Sequence, residues 1–212
     1  MRIGILGSGL MGSKLGAIFA RAGHEVVFSY SHSQEKLKRL AKEAHATART
    51  GSPQEAAQGA EAILLAVHWS RLDDVLGQAG DLSGKVVLTC SLPMNTRNTD
   101  LVVAHTSSGA EELAKRLPKA QIVSAFGTVP SEVLFSVFEG KDSPRKPSLV
   151  FCGDDHKGKT LAARLIRDAG FDPLDAGPLQ IARYLEPFAL LIGQLAYQGQ
   201  GGPELAYRFE RY

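Results

Sequence analysis

Three closely spaced glycines, placed directly after the first apolar segment, constrain the fold of this chain more than any other feature. Arg2 to Leu6 form a run typical of a buried strand, and Gly7, Gly9 and Gly12 follow it in the spacing GxGxxG, ahead of a helical pattern. In that setting Gly7 permits a tight turn, Gly9 lets the backbone approach a pyrophosphate, and Gly12 lets the helix pack on the strand. The sequence therefore predicts a dinucleotide-binding loop, with a ligand-free strand-to-helix turn as the alternative.

Apolar strand-like runs alternate with helical patterns along most of the chain. Further strands are predicted at residues 25–29, 60–67, 85–90, 121–126 and 148–152. Helices are predicted at residues 33–45, from Pro53, and at 70–79, 155–169 and 179–198. This alternation predicts an α/β fold with a doubly wound parallel (Rossmann) sheet. We expect a dinucleotide-binding domain at residues 1–177 and a small C-terminal helical cap at residues 178–212.

The end of the second predicted strand, in HEVVFSYSHSQEK, bears on cofactor preference. Chains that bind NAD carry an Asp or Glu about 20 residues beyond the glycine loop, where it accepts hydrogen bonds from the ribose. Here that position falls near Ser29–Ser31, while Glu25 comes too early and Glu35 lies in the next helix. Donors to a ribose 2′-phosphate stand there instead: Ser31, His32, Ser33 and Lys36. The sequence predicts NADP, although serines that merely cap a helix are compatible with the same pattern.

Composition and net charge limit the kinds of binding partner that this chain is expected to have. The chain has 212 residues and a net charge of +2 with scattered basic residues, so we expect neither a nucleic-acid nor a membrane-surface partner. Cys90 and Cys152 each end a strand-like run without metal-binding spacing, which predicts reduced, buried thiols and no metal site. No signal peptide and no run of membrane-spanning length is apparent, and a cytoplasmic location is expected.

The segments LLAVHWS, SLP, SAFGTVP, CGDD and PLDAGPL together resemble the NADPH-dependent reductases of the deazaflavin coenzyme F420 and their bacterial relatives. The resemblance runs from Met1 to Tyr212, and CGDD, PLDAGPL and the series Arg183–Leu185–Glu186 are its most specific part. It implies hydride transfer between NADP(H) and a small-molecule acceptor, either deazaflavin (F420) or a flavin-like ring. Because both partners carry the redox chemistry, no catalytic side chain is expected.

The resemblance also implies roles for individual positions. Ser8, Gly9, Leu10 and Met11 lie at the pyrophosphate. Ala66, Val67, His68 and Trp69 lie beside the nicotinamide ribose, followed by Leu92 and Pro93. The Ala125 amide meets the carboxamide, and Glu204 and Leu205 line the acceptor pocket. The chain departs from the family pattern at His32, where the family has a phosphate-binding arginine, and in the length of the Gly/Pro segment before Glu204.

Several interpretations stay open. For His68 and Trp69 there are two interpretations: these side chains contact the nicotinamide, its ribose or the acceptor, or they pack at the surface. Arg183 and Glu186 are expected to form an i,i+3 ion pair rather than to contact an acceptor. The last helix has an apolar stripe that either covers this chain's own site or packs against a second subunit, and its length favours a homodimer; the stripe comprises Leu185, Phe188, Ala189, Ile192, Leu195 and Ala196.

Functional alternatives also remain. One is an NADPH-dependent flavin or ferric reductase, because similar nucleotide domains occur in membrane ferric reductases. Another is a β-hydroxyacid dehydrogenase or imine reductase, since GSGLMG resembles their loops. A third is a redox sensor that binds NADP without turnover. A sensor would have its second pocket filled, whereas an enzyme needs an open apolar pocket beside the nicotinamide.

Overall fold

A computed structural model describes residues 1–44 and 47–212, and His45, predicted at the end of a helix and solvated, lies outside them. Its strands are β1 (Arg2–Leu6), β2 (Glu25–Ser29), β3 (Ala48–Thr50), β4 (Ala62–Leu65), β5 (Val86–Thr89), β6 (Gln121–Ser124), β7 (Ser148–Gly153) and β8 (Asp172–Asp175). The helices are α1 (Leu10–Arg21), α2 (Gln34–Ala44), α3 (Pro53–Ala57), α4 (Leu72–Ala79), α5 (Gly109–Arg116), α6 (Leu134–Glu139), α7 (His156–Asp168) and α8 (Ala182–Gln198).

The strands form a single sheet in the order β3-β2-β1-β4-β5-β6-β7-β8. β1 lies between β2 and β4 and is parallel to both, with Ile3 opposite Val26 on one side and Ala62 on the other. The strand order reverses between β1 and β4, and ligands of such sheets bind outside the carboxyl ends of the strands at that point. The predicted doubly wound α/β fold is confirmed, and the glycine loop stands at its reversal point.

The structure differs from the predicted sheet at its edges. β7 runs antiparallel to β6, with Ser124 opposite Cys152, so the sheet is not wholly parallel. β3 and β8 were not predicted, because β3 has three residues and β8 (Asp172–Asp175) is a largely exposed edge strand with a proline. Such strands lack the continuous apolar run that marks a buried strand. α5 and α6 were also missed, since each is only two turns or less.

Helix α1 packs closely on the strands that follow it along the sheet. Leu15, Ile18 and Phe19 are fully buried in the core on this face of the sheet. Removing each of these side chains from water stabilises the fold by about 1.5–3 kcal/mol. A Cβ at Gly16 would overlap the ring of Phe28, so a glycine is required for this approach. The packing fixes the start of α1 relative to the sheet.

The C-terminal part of the chain folds back onto the sheet. Leu179, Ala182 and Leu185 belong to the core on the other face of the sheet. Beyond α8 the tail runs beside β7, where Ser148 N donates to Tyr207 O at 2.8 Å. The division at residue 177 stays a prediction. No helix among the described residues is long and apolar enough to cross a membrane.

Candidate functional site

The glycine loop has the geometry that its spacing predicts. Gly7 has φ 121°, and a Cβ there would overlap the carbonyl oxygen of Ala66. A Cβ at Gly12 would overlap the carbonyl oxygen of Gly7, so the helix could not approach the turn. Gly9 differs, because a Cβ there would have nothing within 4 Å. Gly7 and Gly12 are thus required by the fold, whereas Gly9 leaves open space beside the loop.

The N-terminus of α1 has the features of an anion site. Gly9 is its N-cap, with φ −70°, and no side chain caps the helix. The first turn carries no acidic residue. Unpaired amides at a helix start donate to anions, and the helix dipole adds to the attraction. Gly9 has the open space that a pyrophosphate needs, and the residues present fit an NADP pyrophosphate.

A cavity of about 620 Å³, the first cavity, lies beside this loop on the β2 side. It brings together ten of the predicted positions: Gly7, Ser8, Gly9, Ser31, His32, Ser33, Lys36, Ala66, Val67 and His68. These positions come from the loops after β1, β2 and β4, which meet because the strands are parallel neighbours. The size and lining suit the adenosine half of a dinucleotide.

The serines after β2 have structural partners as well. Ser33 Oγ accepts from Lys36 N at 3.2 Å and so caps α2, as the alternative interpretation predicted. Ser31 Oγ accepts from Ser33 N at 3.2 Å. Accepting that bond leaves the Ser31 hydroxyl proton available to donate to a phosphate oxygen. Capping and anion binding are therefore compatible at this turn.

The opposite wall of the first cavity comes from Arg71, Asp74 and Gln78, which the sequence did not predict. Tyr30, whose backbone has φ 58°, donates its hydroxyl to Asp74 Oδ2 at 2.5 Å, and Gln78 Nε2 donates to Asp74 Oδ1 at 3.1 Å. Burial and then the Asp74 contact raise the pKa of Tyr30 to about 12, while the bonds from Tyr30 and Gln78 lower the pKa of Asp74. The sequence predicted no carboxylate at the end of β2, and none is there, but α4 brings the Asp74 carboxylate into the opposite wall of the first cavity.

A second cavity of about 510 Å³ lies on the other side of the glycine loop. Leu10 and Met11 line it from α1, and Leu92 lines it from the segment after β5. Its far wall is α8, through Ala189, Leu190, Ile192, Gly193, Gln194, Tyr197 and Gln198. The lining is largely apolar and, among the described residues, includes no lysine, arginine or histidine. Gly9 lines the first cavity and Leu10 the second, so the two cavities lie on either side of the start of α1.

His68 and Trp69 have different surroundings. His68 lines the first cavity, and its Nε2 lies 2.9 Å from Oδ1 of Asn98, which lines the second. The Trp69 ring faces the Arg116 guanidinium at 5.4 Å and packs on the core instead of lining either cavity. Surface packing therefore accounts for Trp69, whereas His68 stands at the junction of the cavities.

Two positions beside the predicted nicotinamide site do not have the expected geometry. Ala125 N donates to Thr89 O at 3.0 Å, so this amide is engaged in the sheet and is not available to a carboxamide. The chain turns one residue later, where Phe126 has φ 65° and lines the second cavity with Gly127. Pro93 packs against Gly109 instead of lining a cavity. A backbone turn of this kind has no sequence signal here, because a buried phenylalanine rarely adopts positive φ.

The tail residues predicted for the acceptor pocket lie elsewhere. Glu204 is exposed, Leu205 is half-buried, and neither is among the residues that line the second cavity. The tail is held at β7, where Tyr207 OH lies 3.1 Å from Val150 N. The role of Glu204 and Leu205 stays a prediction, and in this structure α8 provides the wall instead.

The predicted Arg183–Glu186 ion pair is wrong. Arg183 forms a bidentate pair with Glu111, at 2.7 and 2.9 Å. Glu186 accepts from the amides of Gly109 and Ala110 at 2.8 and 3.0 Å, at the start of α5. Burial raises the pKa of Glu186 to about 7, against the lowering effect of these two amides. Both side chains fasten the first turns of α8 to α5, a tertiary contact that i,i+3 spacing does not reveal.

Both cysteines are free, as predicted. Cys152 is buried as expected, whereas Cys90 is half-buried and lines the second cavity. Desolvation raises the pKa of each thiol to about 12, so neither is a thiolate at neutral pH. Within residues 1–44 and 47–212, no group of three or more His, Cys, Asp or Glu side chains could hold a metal ion.

Comparison with known proteins bears on this site. Residues 2–93, which contain the glycine loop and β1–β5, match the family described as NADP oxidoreductase, coenzyme F420-dependent. The predicted family resemblance is confirmed. The match is to a family of NADP oxidoreductases, the class that the sequence predicted.

A longer relative and two solved structures extend the comparison. The chain is 29% identical over 189 residues to the metalloreductase STEAP3 of Rattus norvegicus, covering 89% of this chain but only 36% of that protein. It thus spans about a third of that relative. A candidate F420-dependent NADP-reductase from Arthrobacter sp. FB24 superposes with a TM-score of 0.86 at 23% identity, covering 100% of both chains. The hypothetical protein SMa0349 from Sinorhizobium meliloti has a TM-score of 0.78 at 23% identity, covering 99% of this chain and 96% of that one. These two structures establish the shared fold.

Proposed function

We propose that this chain transfers a hydride between NADP(H) and a deazaflavin (F420) or flavin-like acceptor. The observation that supports it is that two cavities flank the uncapped N-terminus of α1. A dinucleotide whose pyrophosphate lies at Gly9 has its adenosine in the first cavity and its nicotinamide at the second. The remaining apolar space of the second cavity then faces the nicotinamide and suits a planar ring.

The protein contributes binding and orientation. A bound NADPH would supply a hydride, that is a proton with two electrons, to an acceptor ring held beside it, and a proton from water would complete the reduction. Leu10, Met11 and Leu92 exclude water from the second cavity, and holding two rings in contact removes much of the entropic barrier. The first cavity holds the adenosine, with donors to the 2′-phosphate at Ser31 and Lys36.

The open second cavity favours an enzyme over a non-catalytic redox sensor, whose pocket would be filled. A flavin or ferric reductase is the second candidate, supported by the 29% identity to the metalloreductase STEAP3. Support for a β-hydroxyacid dehydrogenase or imine reductase is weak. Those enzymes need a helical domain of roughly a hundred residues with a catalytic lysine, and Ala182–Gln198 contains no lysine.

The proposal is tested by anaerobic absorbance at the NADPH band with purified protein and a panel of acceptors. The panel comprises a deazaflavin, FMN, FAD, a quinone and a ferric chelate. Oxidation of NADPH with the deazaflavin alone supports the first candidate, and oxidation with flavin or iron supports the second. Tight NADPH binding without turnover on any acceptor would refute hydride transfer and favour the sensor.

Ser31→Asp tests the predicted 2′-phosphate contact. A carboxylate at the ribose repels a phosphate but accepts from a hydroxyl, so we expect weaker NADPH binding and unchanged NADH binding. Ser83→Asp is a matched control, because Ser83 lies in the exposed turn before β5 and outside both cavities. If fluorescence titration showed equal losses of affinity for NADPH and NADH, the 2′-phosphate would not be held at this turn.

We further propose a cytoplasmic homodimer. Most of the predicted stripe is buried within this chain, at Leu185, Ala189, Ile192 and Ala196. A different face of α8 is open instead, where Tyr184, Leu191 and Leu195 are 70%, 53% and 51% exposed. Their spacing of seven and four residues forms an apolar stripe that a second copy would cover. Light scattering should give twice the chain mass, and Leu191→Glu should give the single mass. A wild-type monomer would refute the dimer, and recovery of the protein in a membrane fraction of its host would refute the location.

A further inference from the structure

The first cavity carries cationic groups on both walls. Lys36 and His32 lie on the α2 side. His32 is the position at which this chain departs from the arginine of the family pattern. Arg71 lies on the opposite side, at the end of the short 3₁₀ turn Trp69–Arg71 that precedes α4. Among the described contacts, no hydrogen bond or ion pair involves the Arg71 side chain. A guanidinium without a protein partner, at the edge of an anion site, has its donors available to a phosphate.

Asp74 stands one helical turn further along the same wall. It is the one carboxylate among the described residues that line the first cavity. Both of its oxygens are engaged, Oδ2 by Tyr30 at 2.5 Å and Oδ1 by Gln78 at 3.1 Å. Tyr30 adjoins Ser31 and holds this bond from a backbone at φ 58°, a conformation that costs a bulky residue free energy. The phenol thus fixes the one carboxylate in the described lining of this cavity.

We propose that Arg71, Asp74 and Tyr30 set the preference of this chain for NADP over NAD. Arg71 supplies a guanidinium to the ribose 2′-phosphate, whereas residue 32 is a histidine and has none. Asp74 opposes the phosphate, and Tyr30 is a positioning residue that limits this opposition by binding the carboxylate. The inference rests on the proposed placement of NADP adenosine in the first cavity, and it assigns the selectivity of that site to residues outside the β2 turn.

The first test compares dissociation constants of NADPH and NADH by anaerobic fluorescence titration. We expect Arg71→Ala to weaken NADPH binding about tenfold or more and to change NADH binding by less than about twofold, because only NADPH loses a charge-assisted contact. Arg71→Lys should recover part of the loss, since a lysine still offers a point charge. Arg39→Ala is the matched control, because Arg39 pairs with Glu43 on the outer face of α2. Competition by 2′-AMP should weaken in Arg71→Ala, whereas competition by 5′-AMP should not.

The second test removes the negative charge of Asp74 instead of the positive charge of Arg71. Asp74→Asn should tighten NADPH binding about two- to fivefold and leave NADH unchanged, as expected for removing a like charge near a solvated phosphate. Asp73→Asn is its control, because the adjacent Asp73 pairs with Arg116 away from the cavity and is 83% exposed. Tyr30→Phe should weaken NADPH binding in the wild-type background. In an Asp74→Asn background it should have no effect, since the carboxylate through which Tyr30 acts is gone.

The outcomes distinguish a failure of this inference from a failure of the proposed function. Wild-type protein that binds neither dinucleotide would remove the proposed function and the inference together. Wild-type protein that prefers NADPH, with Arg71→Ala weakening both cofactors equally, would overturn the inference alone. A Tyr30→Phe effect that persists without Asp74 would also overturn it, because Tyr30 would then act through the backbone turn. Arg71 and Asp74 are both exposed, so these variants are expected to fold.

Discussion

Replacing Gly9 by alanine separates nucleotide binding from folding. Gly9 has φ −70°, which alanine adopts without strain, and a Cβ there would have nothing within 4 Å. The substitution should therefore leave the apo fold intact, because the lower entropy of the unfolded chain, about 0.4–1 kcal/mol, offsets the poorer N-cap preference of alanine. The same methyl group stands where the pyrophosphate approaches the α1 amides. Two lost amide–anion bonds at about 1.5–3 kcal/mol each predict at least a hundredfold weaker binding of NADPH.

Thermal unfolding with and without NADPH measures both effects at once. A ligand at a hundred times its Kd stabilises the folded state by about 2.7 kcal/mol. For a chain of this size that corresponds to a rise in Tm of about 5–10 °C. We expect the rise in the wild type and none in Gly9→Ala, whose apo Tm should stay close to that of the wild type.

Two further glycines serve as controls. Gly77→Ala lies in α4 with open space around it, so it should raise the apo Tm and keep the NADPH-dependent rise. Gly12→Ala should lose both stability, by about 1–3 kcal/mol, and binding, because its Cβ overlaps the Gly7 carbonyl. A Gly9→Ala protein that keeps the full NADPH-dependent rise would refute the placement of the pyrophosphate at this loop.

Two more predictions concern titratable groups away from the glycine loop. Burial raises the pKa of Glu186 to about 7, so this carboxyl holds its proton more tightly in the folded protein than in the unfolded chain. The stability that results is fully present below about pH 4.5 and is lost as the pH rises through 7. The loss in free energy of unfolding is about 3 kcal/mol at most. Urea unfolding of Glu186→Gln between pH 5 and 8 should show a flatter dependence than the wild type, and parallel curves would contradict this. Because the pKa of Cys90 is raised to about 12, iodoacetamide at pH 8 should leave it unmodified in native protein and label it after unfolding, as mass spectrometry can check.

The sequence predicted the central sheet and the loops around it well, because each buried strand is a continuous apolar run next to a helical pattern. The loop after β2 lies beside the glycine loop because their strands are parallel neighbours, as the strand–helix–strand pattern implies. Ser31, His32, Ser33 and Lys36 therefore line the first cavity, as expected. Local pattern and tertiary geometry agree in this half of the chain.

The residues that sequence missed are those that long-range packing brings to the site. Arg71 and Asp74 follow His68 closely, and the carboxyl end of β4 was a signal for them, but the side that each faces depends on how α4 docks. Arg183 and Glu186 have the spacing of an ion pair, yet both contact α5, about 70 residues earlier in the chain. The engagement of the Ala125 amide depends on the pairing of β6 with β5, which no local pattern reports.

Helix α8 divides its tasks along its length. Its first turns are fastened to α5 through Arg183 and Glu186, whereas the wall of the second cavity begins at Ala189. Substitutions at Leu190, Gln194 or Gln198 therefore reshape the second cavity without touching the anchor of the helix or the glycine loop. If the proposed placement holds, the acceptor can change in this way while the nucleotide stays the same. Directed evolution toward a new acceptor should accordingly accumulate changes in the last three turns of α8.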